Sequence, residues 1–188
     1  MTQTVLAQVD ERLDVPVALS VQLTGMSAAG ETILSQALSY CAAKMSLSGP
    51  QSAVERLCQG DGVASGYCLY CIAKQAAGTI GSLDENVRSV YTFDCEATPE
   101  DASLGEIAQG MPLLHLLVWT QRKTAALSAL ITALDRALAH AYADRLGVGR
   151  PAGLLDVQVV DDAQVGRRSG YGALLSSMYH RPVQVWQR

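Results

Sequence analysis

Residues able to do chemistry together are concentrated in one stretch, Leu154 to His180, which reads LLDVQVVDDAQVGRRSGYGALLSSMYH. An apolar alternating run ends there in two adjacent acids, Asp161 and Asp162. Gly166-Arg167-Arg168-Ser169-Gly170 and a helical pattern follow. Guanidinium groups bind carboxylates and phosphates through paired hydrogen bonds, and glycine lets a ligand come close to the backbone. The pattern points to a site for an anionic small molecule, phosphate- or carboxylate-bearing, over the segment Asp161 to Gly172. In that site Arg167 and Arg168 supply the fork, and Ser169, Gly170 and Tyr171 add donors at the start of the helix. Asp161 or Asp162 orients a hydroxyl or acts as a base. His115, set within the apolar run LLHLLVW, is a further candidate base or ligand. The plain alternatives are a half-buried histidine bonded to a neighbour and a solvated loop whose acids and arginines pair with one another.

Two other groupings invite chemistry. Cys68 and Cys71 lie three apart in a helical pattern from Tyr67 to Gly78, so they share a face. A redox pair, half of a metal site and two core thiols all fit that spacing; no second pair completes a zinc site, and core packing is the commonest fate of a free cysteine. No metal site is therefore assigned, and the residues name no cofactor. The second grouping is Gly25-Met-Ser-Ala-Ala-Gly30-Glu31-Thr32. It matches a phosphate-binding loop except that Glu31 stands where the lysine belongs, and a carboxylate there repels phosphate. A plain strand-to-helix turn is the better reading. Ser27 in the same turn is one residue out of step for a nucleophile elbow.

The elements that must position these residues follow from periodicity. Val17, Leu19, Val21 and Leu23 alternate with Ala18, Ser20 and Gln22, which predicts a first strand after Pro16, and Ile33 to Cys41 then recur at helical spacing. A short helix follows Pro50, and Gly60 to Gly66 reads as a flexible loop long enough to be a lid. Val87 to Cys95 is a second strand, Thr98-Pro99 starts a short helix, and Leu113 to Trp119, apolar on both faces, is a central third strand. Thr124 to Leu146 is the longest helix, stopped by Gly147 and Pro151; its many alanines suit a helix sandwiched in the fold or facing another subunit. Leu155 to Val159 is a fourth strand, a last helix carries Leu174, Leu175 and Met178, and Val183 to Trp186 is a short edge strand.

These elements make an α/β or α+β fold, a single layered domain over residues 1–188 with a sheet of about five strands packed with helices. At 188 residues the chain is long enough for one well-buried core. A formal net charge of −4 offers no footprint for nucleic acid. No apolar run reaches the roughly 18 residues of a membrane span, the first residues lack a secretory pattern, and five cysteines do not suggest a disulfide framework. A cytoplasmic protein is the expectation. Two further functions are consistent with the residues. One is a non-catalytic homo-oligomer or partner-binding protein, from the alanine-rich helix. The other is a thiol-dependent redox or metal protein through Cys68 and Cys71.

Overall fold

The computed structural model describes residues 17–93, 113–149, 152–177 and 182–188, with side chains described from Gly25 onward. The short helix expected at Thr98-Pro99 and the positions of Cys95, Pro151 and Met178 lie outside these residues.

The first element among the described residues is a long helix, α1 (Val17–Lys44), where a strand was expected. The alternation from Val17 to Leu23 also places apolar residues at i and i+4, so it satisfies a helix as well as a strand. Nothing breaks the segment, because an interior glycine costs a helix only about 1 kcal/mol. Gly25 and Gly30 therefore lie inside α1, and the strand, glycine loop and helix that a phosphate loop requires are absent. Gly30 has a packing role instead. A β-carbon built on it would stand 2.7 Å from the backbone carbon of Ala137.

After α2 (Pro50–Cys58), the expected lid at Gly60 to Gly66 is mostly helix. Asp61 caps α3 (Gly62–Leu83), its carboxylate accepting from the backbone N–H groups of Val63 and Ala64 at 3.0 and 3.1 Å. Gly60, at φ 74°, makes the turn between the two helices. The cap outweighs the glycine content because it satisfies amides that would otherwise lack partners.

The sheet comprises β1 (Val87–Thr92), β2 (Leu114–Thr120), β3 (Leu155–Asp161) and β4 (Val183–Gln187) in the order β3-β2-β1-β4. Among the described residues it has four strands, one fewer than expected, since the first expected strand is helical. β1 pairs antiparallel with both β2 and β4, whereas β2 and β3 are parallel. The apolar strand β2 is central and β4 is at an edge, as the residue patterns indicate. The parallel pair is joined across α4 (Ala125–Leu146), capped by Thr124 at its start and by Gly147 at φ 65° at its end. Asp135 of α4 ties this crossover down by accepting from the N–H groups of Leu154 and Leu155 at 2.7 and 2.8 Å.

The three long helices α1, α3 and α4 share one apolar core with one face of the sheet. Val87, Val90, Leu114, Leu116, Val118 and Leu155 join Leu34, Leu38, Ile72, Leu134 and Leu138 in one apolar core. Helix α1 lies against both α3 and α4, so the alanines of α4 serve a close crossing within the chain. Trp186 of β4 seats on Gly81 of α3, where a β-carbon would meet the indole at about 2.4 Å. Among the described residues no helix is long and apolar enough to cross a membrane.

On the other face, His115, Leu117 and Trp119 of β2 stand beside Asp156, Gln158 and Val160 of β3 in register. The chain leaves β3 directly into α5 (Asp162–Arg167), then passes through Arg168 at φ 51° into a 3-10 turn, Gly170–Ser176. This replaces the expected turn and last α-helix. Asp161 and Gln164 form a reciprocal cap that starts helix at once. Gly172 then folds back so tightly that a β-carbon would lie 2.7 Å from the carbonyl oxygen of Gln164.

Candidate functional site

The register of the parallel pair decides what His115 does. It faces Asp156 across β2 and β3, and the two side chains meet, Nδ1 to Oδ2 at 3.0 Å. Gln158, two residues on and therefore on the same face, donates from Nε2 to the other carboxylate oxygen at 3.0 Å. Both oxygens of Asp156 are thus engaged, which holds the carboxylate in one orientation. In the neutral imidazole the tautomer that donates from Nδ1 to Asp156 makes Nε2 the basic nitrogen.

Beside this pair lies a cleft of about 310 Å³. Phe93, Leu116, Tyr171 and Leu174 line it together with His115, Asp156 and Gln158. Tyr171 and Leu174 come from the 3-10 turn, whose backbone is fixed by the packing of Gly172 on α5. The cleft is therefore polar at the strand side and apolar at the turn side, the usual make-up of a small-molecule site, and it is at the lower end of the roughly 300–1,000 Å³ range of such sites.

The remaining residues singled out in the sequence have separate places. Asp161 accepts from the N–H of Gln164 at 2.8 Å as the cap of α5. Asp162 bridges two strands on the same face, accepting from Trp119 Nε1 at 2.8 Å and from Arg88 Nη2 at 2.7 Å. Neither carboxylate lines the cleft. Arg167 turns back to donate from Nε to the carbonyl of Ala163, and both Arg167 and Arg168 are exposed. Ser169 precedes the 3-10 turn without a side-chain cap bond, and Gly170 at φ 53° allows the turn to begin. Of the expected set, His115 and Tyr171 share the cleft. Gly25 to Gly30 lies in α1 and takes no part.

Asp156, Gln158, Phe93 and Leu174 were not legible as site residues. Asp156 does occupy an alternating position in its strand, but only the register of β2 against β3 makes it the partner of His115.

The thiols at Cys68 and Cys71 are buried in α3. Burial pushes the Cys68 thiol up to about 12, and the nearby Cys41 and Cys71 add to the rise. Burial also raises Cys71, with Lys74 working against it. A nucleophilic or metal-binding cysteine needs its thiolate, which these surroundings disfavour. Among the described residues no cluster of three or more His, Cys, Asp or Glu side chains is arranged to hold a metal ion.

Comparison of the chain with protein-family models, with curated proteins and with solved structures finds no match.

Proposed function

We propose that the protein binds a small anionic molecule in the cleft between the His115–Asp156 pair and the 3-10 turn, with that pair handling a proton of the bound molecule. The observation that carries this reading is the oriented His115–Asp156–Gln158 array at the polar wall of a cleft whose other wall is apolar. Phe93, Tyr171 and Leu174 receive the apolar body of the ligand, and His115 meets its polar head.

The preference for an anion rests on the adjoining segment. Its two acids are occupied, Asp161 by the backbone of α5 and Asp162 by Arg88 and Trp119. Arg167 and Arg168 have no carboxylate partner among the described residues. Two uncompensated cations on the segment that leads into the 3-10 turn attract a phosphate or carboxylate toward the turn that carries Tyr171 and Leu174.

A thermal-shift panel of small carboxylated and phosphorylated compounds tests the reading. A compound that binds only the folded chain at a hundred times its Kd stabilises it by about 2.7 kcal/mol. That stabilisation should fall in Asp156→Asn, which leaves the shape but removes the charge beside His115. It should also fall, and become less salt-dependent, in the Arg167→Ala, Arg168→Ala double variant. Absence of any stabilising compound, or equal stabilisation of the wild type and both variants, sinks the proposal.

A further inference from the structure

A second cleft, of about 320 Å³, lies toward the other end of the sheet and shares no lining residue with the first. It is lined by Ser89 and Trp119, with Arg88, Glu85, Gln121 and Gln187 around them. Its construction is specific. The register of β1 against β2 shifts between Val87 and Ser89, and Arg88 reaches Asp162 at the start of α5. Asp162 holds Arg88 with one oxygen and the Trp119 indole with the other, and the Arg88 guanidinium lies 5.8 Å from the centre of the Trp119 ring. Guanidinium and indole are thus locked together by a single carboxylate.

Ser89 is the telling residue. It is only 3% exposed, yet its hydroxyl has no hydrogen-bond partner among the described residues. Among the described residues no side-chain oxygen that is sealed from solvent lacks a partner, so the residual exposure of Ser89 is at its hydroxyl and opens into the cleft it lines. A hydroxyl nine-tenths buried without a partner is costly to keep unless something bonds to it.

The charges around the cleft cancel. Asp162 pairs with Arg88, Glu85 and Arg188 both line the cleft, and the Arg188 guanidinium is taken up by the carbonyls of Gly81, Asp84 and Val87. A cleft without surplus charge does not select an anion. Two amide side chains, a hydroxyl, a carboxylate and two guanidinium groups that are already engaged offer donors and acceptors in mixture, beside an indole that offers an apolar surface. We infer that this cleft binds a neutral saccharide of monosaccharide size, with its hydroxyls on Ser89, Gln121 and Gln187 and its C–H groups against Trp119.

The test follows the Trp119 indole N–H in two-dimensional NMR spectra of the full chain, the signal being assigned by its loss in Trp119→Phe. Glucose, galactose, mannose and N-acetylglucosamine are titrated in turn, with inorganic phosphate and adenine as the competing ligand classes. A saturable shift with at least one saccharide, larger than with phosphate or adenine, is expected. Ser89→Ala should weaken that saccharide about fivefold, the worth of one hydrogen bond. Gln187→Ala, at an exposed position, provides the same reading should Ser89→Ala fail to fold. The shift should persist in His115→Ala, which separates this site from the first cleft. No response to any saccharide, a larger response to phosphate or adenine, or unchanged binding in the two variants overturns the inference.

Discussion

Cys68 and Tyr142 show how one buried position acquires a property its residue type does not have. Both are enclosed by the helical layer, and burial pushes each up to about 12, from ordinary values of 9 and 10. Because the folded values lie above the unfolded ones, the stabilisation they represent is fully present below pH 9. It is lost as pH rises: between 9 and about 12 the unfolded chain releases the Cys68 proton while the folded chain retains it. Each group engaged costs about 1.4 kcal/mol per pH unit in its window. Urea unfolding at a series of pH values should therefore show stability falling from about pH 9 upward, with a shallower fall in Cys68→Ala than in the wild type. Mass-spectrometric mapping after brief alkylation at pH 8 should find Cys58, which is exposed, modified well before Cys68.

At the scale of elements, the two glycines of the phosphate-loop look-alike have opposite roles inside one helix. A β-carbon on Gly30 would strike the Ala137 backbone at 2.7 Å, whereas nothing lies within 4 Å of one on Gly25. Gly30→Ala forces α1 away from α4 and should cost about 1–3 kcal/mol, the usual cost of overpacking. Gly25→Ala removes backbone freedom from the unfolded chain at a helical position with open space, and should stabilise by roughly 0.4–1 kcal/mol. Thermal unfolding of the two variants checks the contrast; equal effects would mean that the α1–α4 crossing is not as close as described. The helix α4 and the strands β1, β2 and β3 were readable from their residues, because Thr124, Gly147 and the alternating apolar runs act locally. The helix α1 was not, since V-A-L-S-V-Q-L satisfies both periods, and what the core holds of α1 lies further along, from Met26 to Ala42.

Across the whole molecule, stability should be graded. Strand β2 is bonded on both sides and has Leu116, Leu117 and Val118 buried. Segment Asp162–Ser176 is a six-residue helix and a 3-10 turn with only Gly172 buried. Native-state hydrogen exchange should find the amides of Leu116 to Val118 opening only with global unfolding, and those of α5 and the 3-10 turn opening at much lower free energy. The first cleft thus joins a rigid wall, which holds the His115–Asp156 pair, to a more yielding one that carries Tyr171 and Leu174. Equal protection of the two segments would contradict that division.

From the residues alone came the mixed helix-and-sheet class, the central place of β2, the edge place of β4, the long capped helix and the interest of the segment after β3. Each depends on interactions within a few residues: a cap, a left-handed glycine, a period of two or of 3.6. Strand number, the fate of Gly25 to Gly30 and the pairing of His115 with Asp156 were decided by tertiary structure. Asp156 is 41 residues from His115, and a shift of one residue in the register of β3 would turn it to the helical face. Asp161 and Asp162 look equivalent in the sequence, yet one caps a helix and the other bridges Arg88 and Trp119. That difference is set by where β3 ends against β2 and β1, which no local pattern encodes.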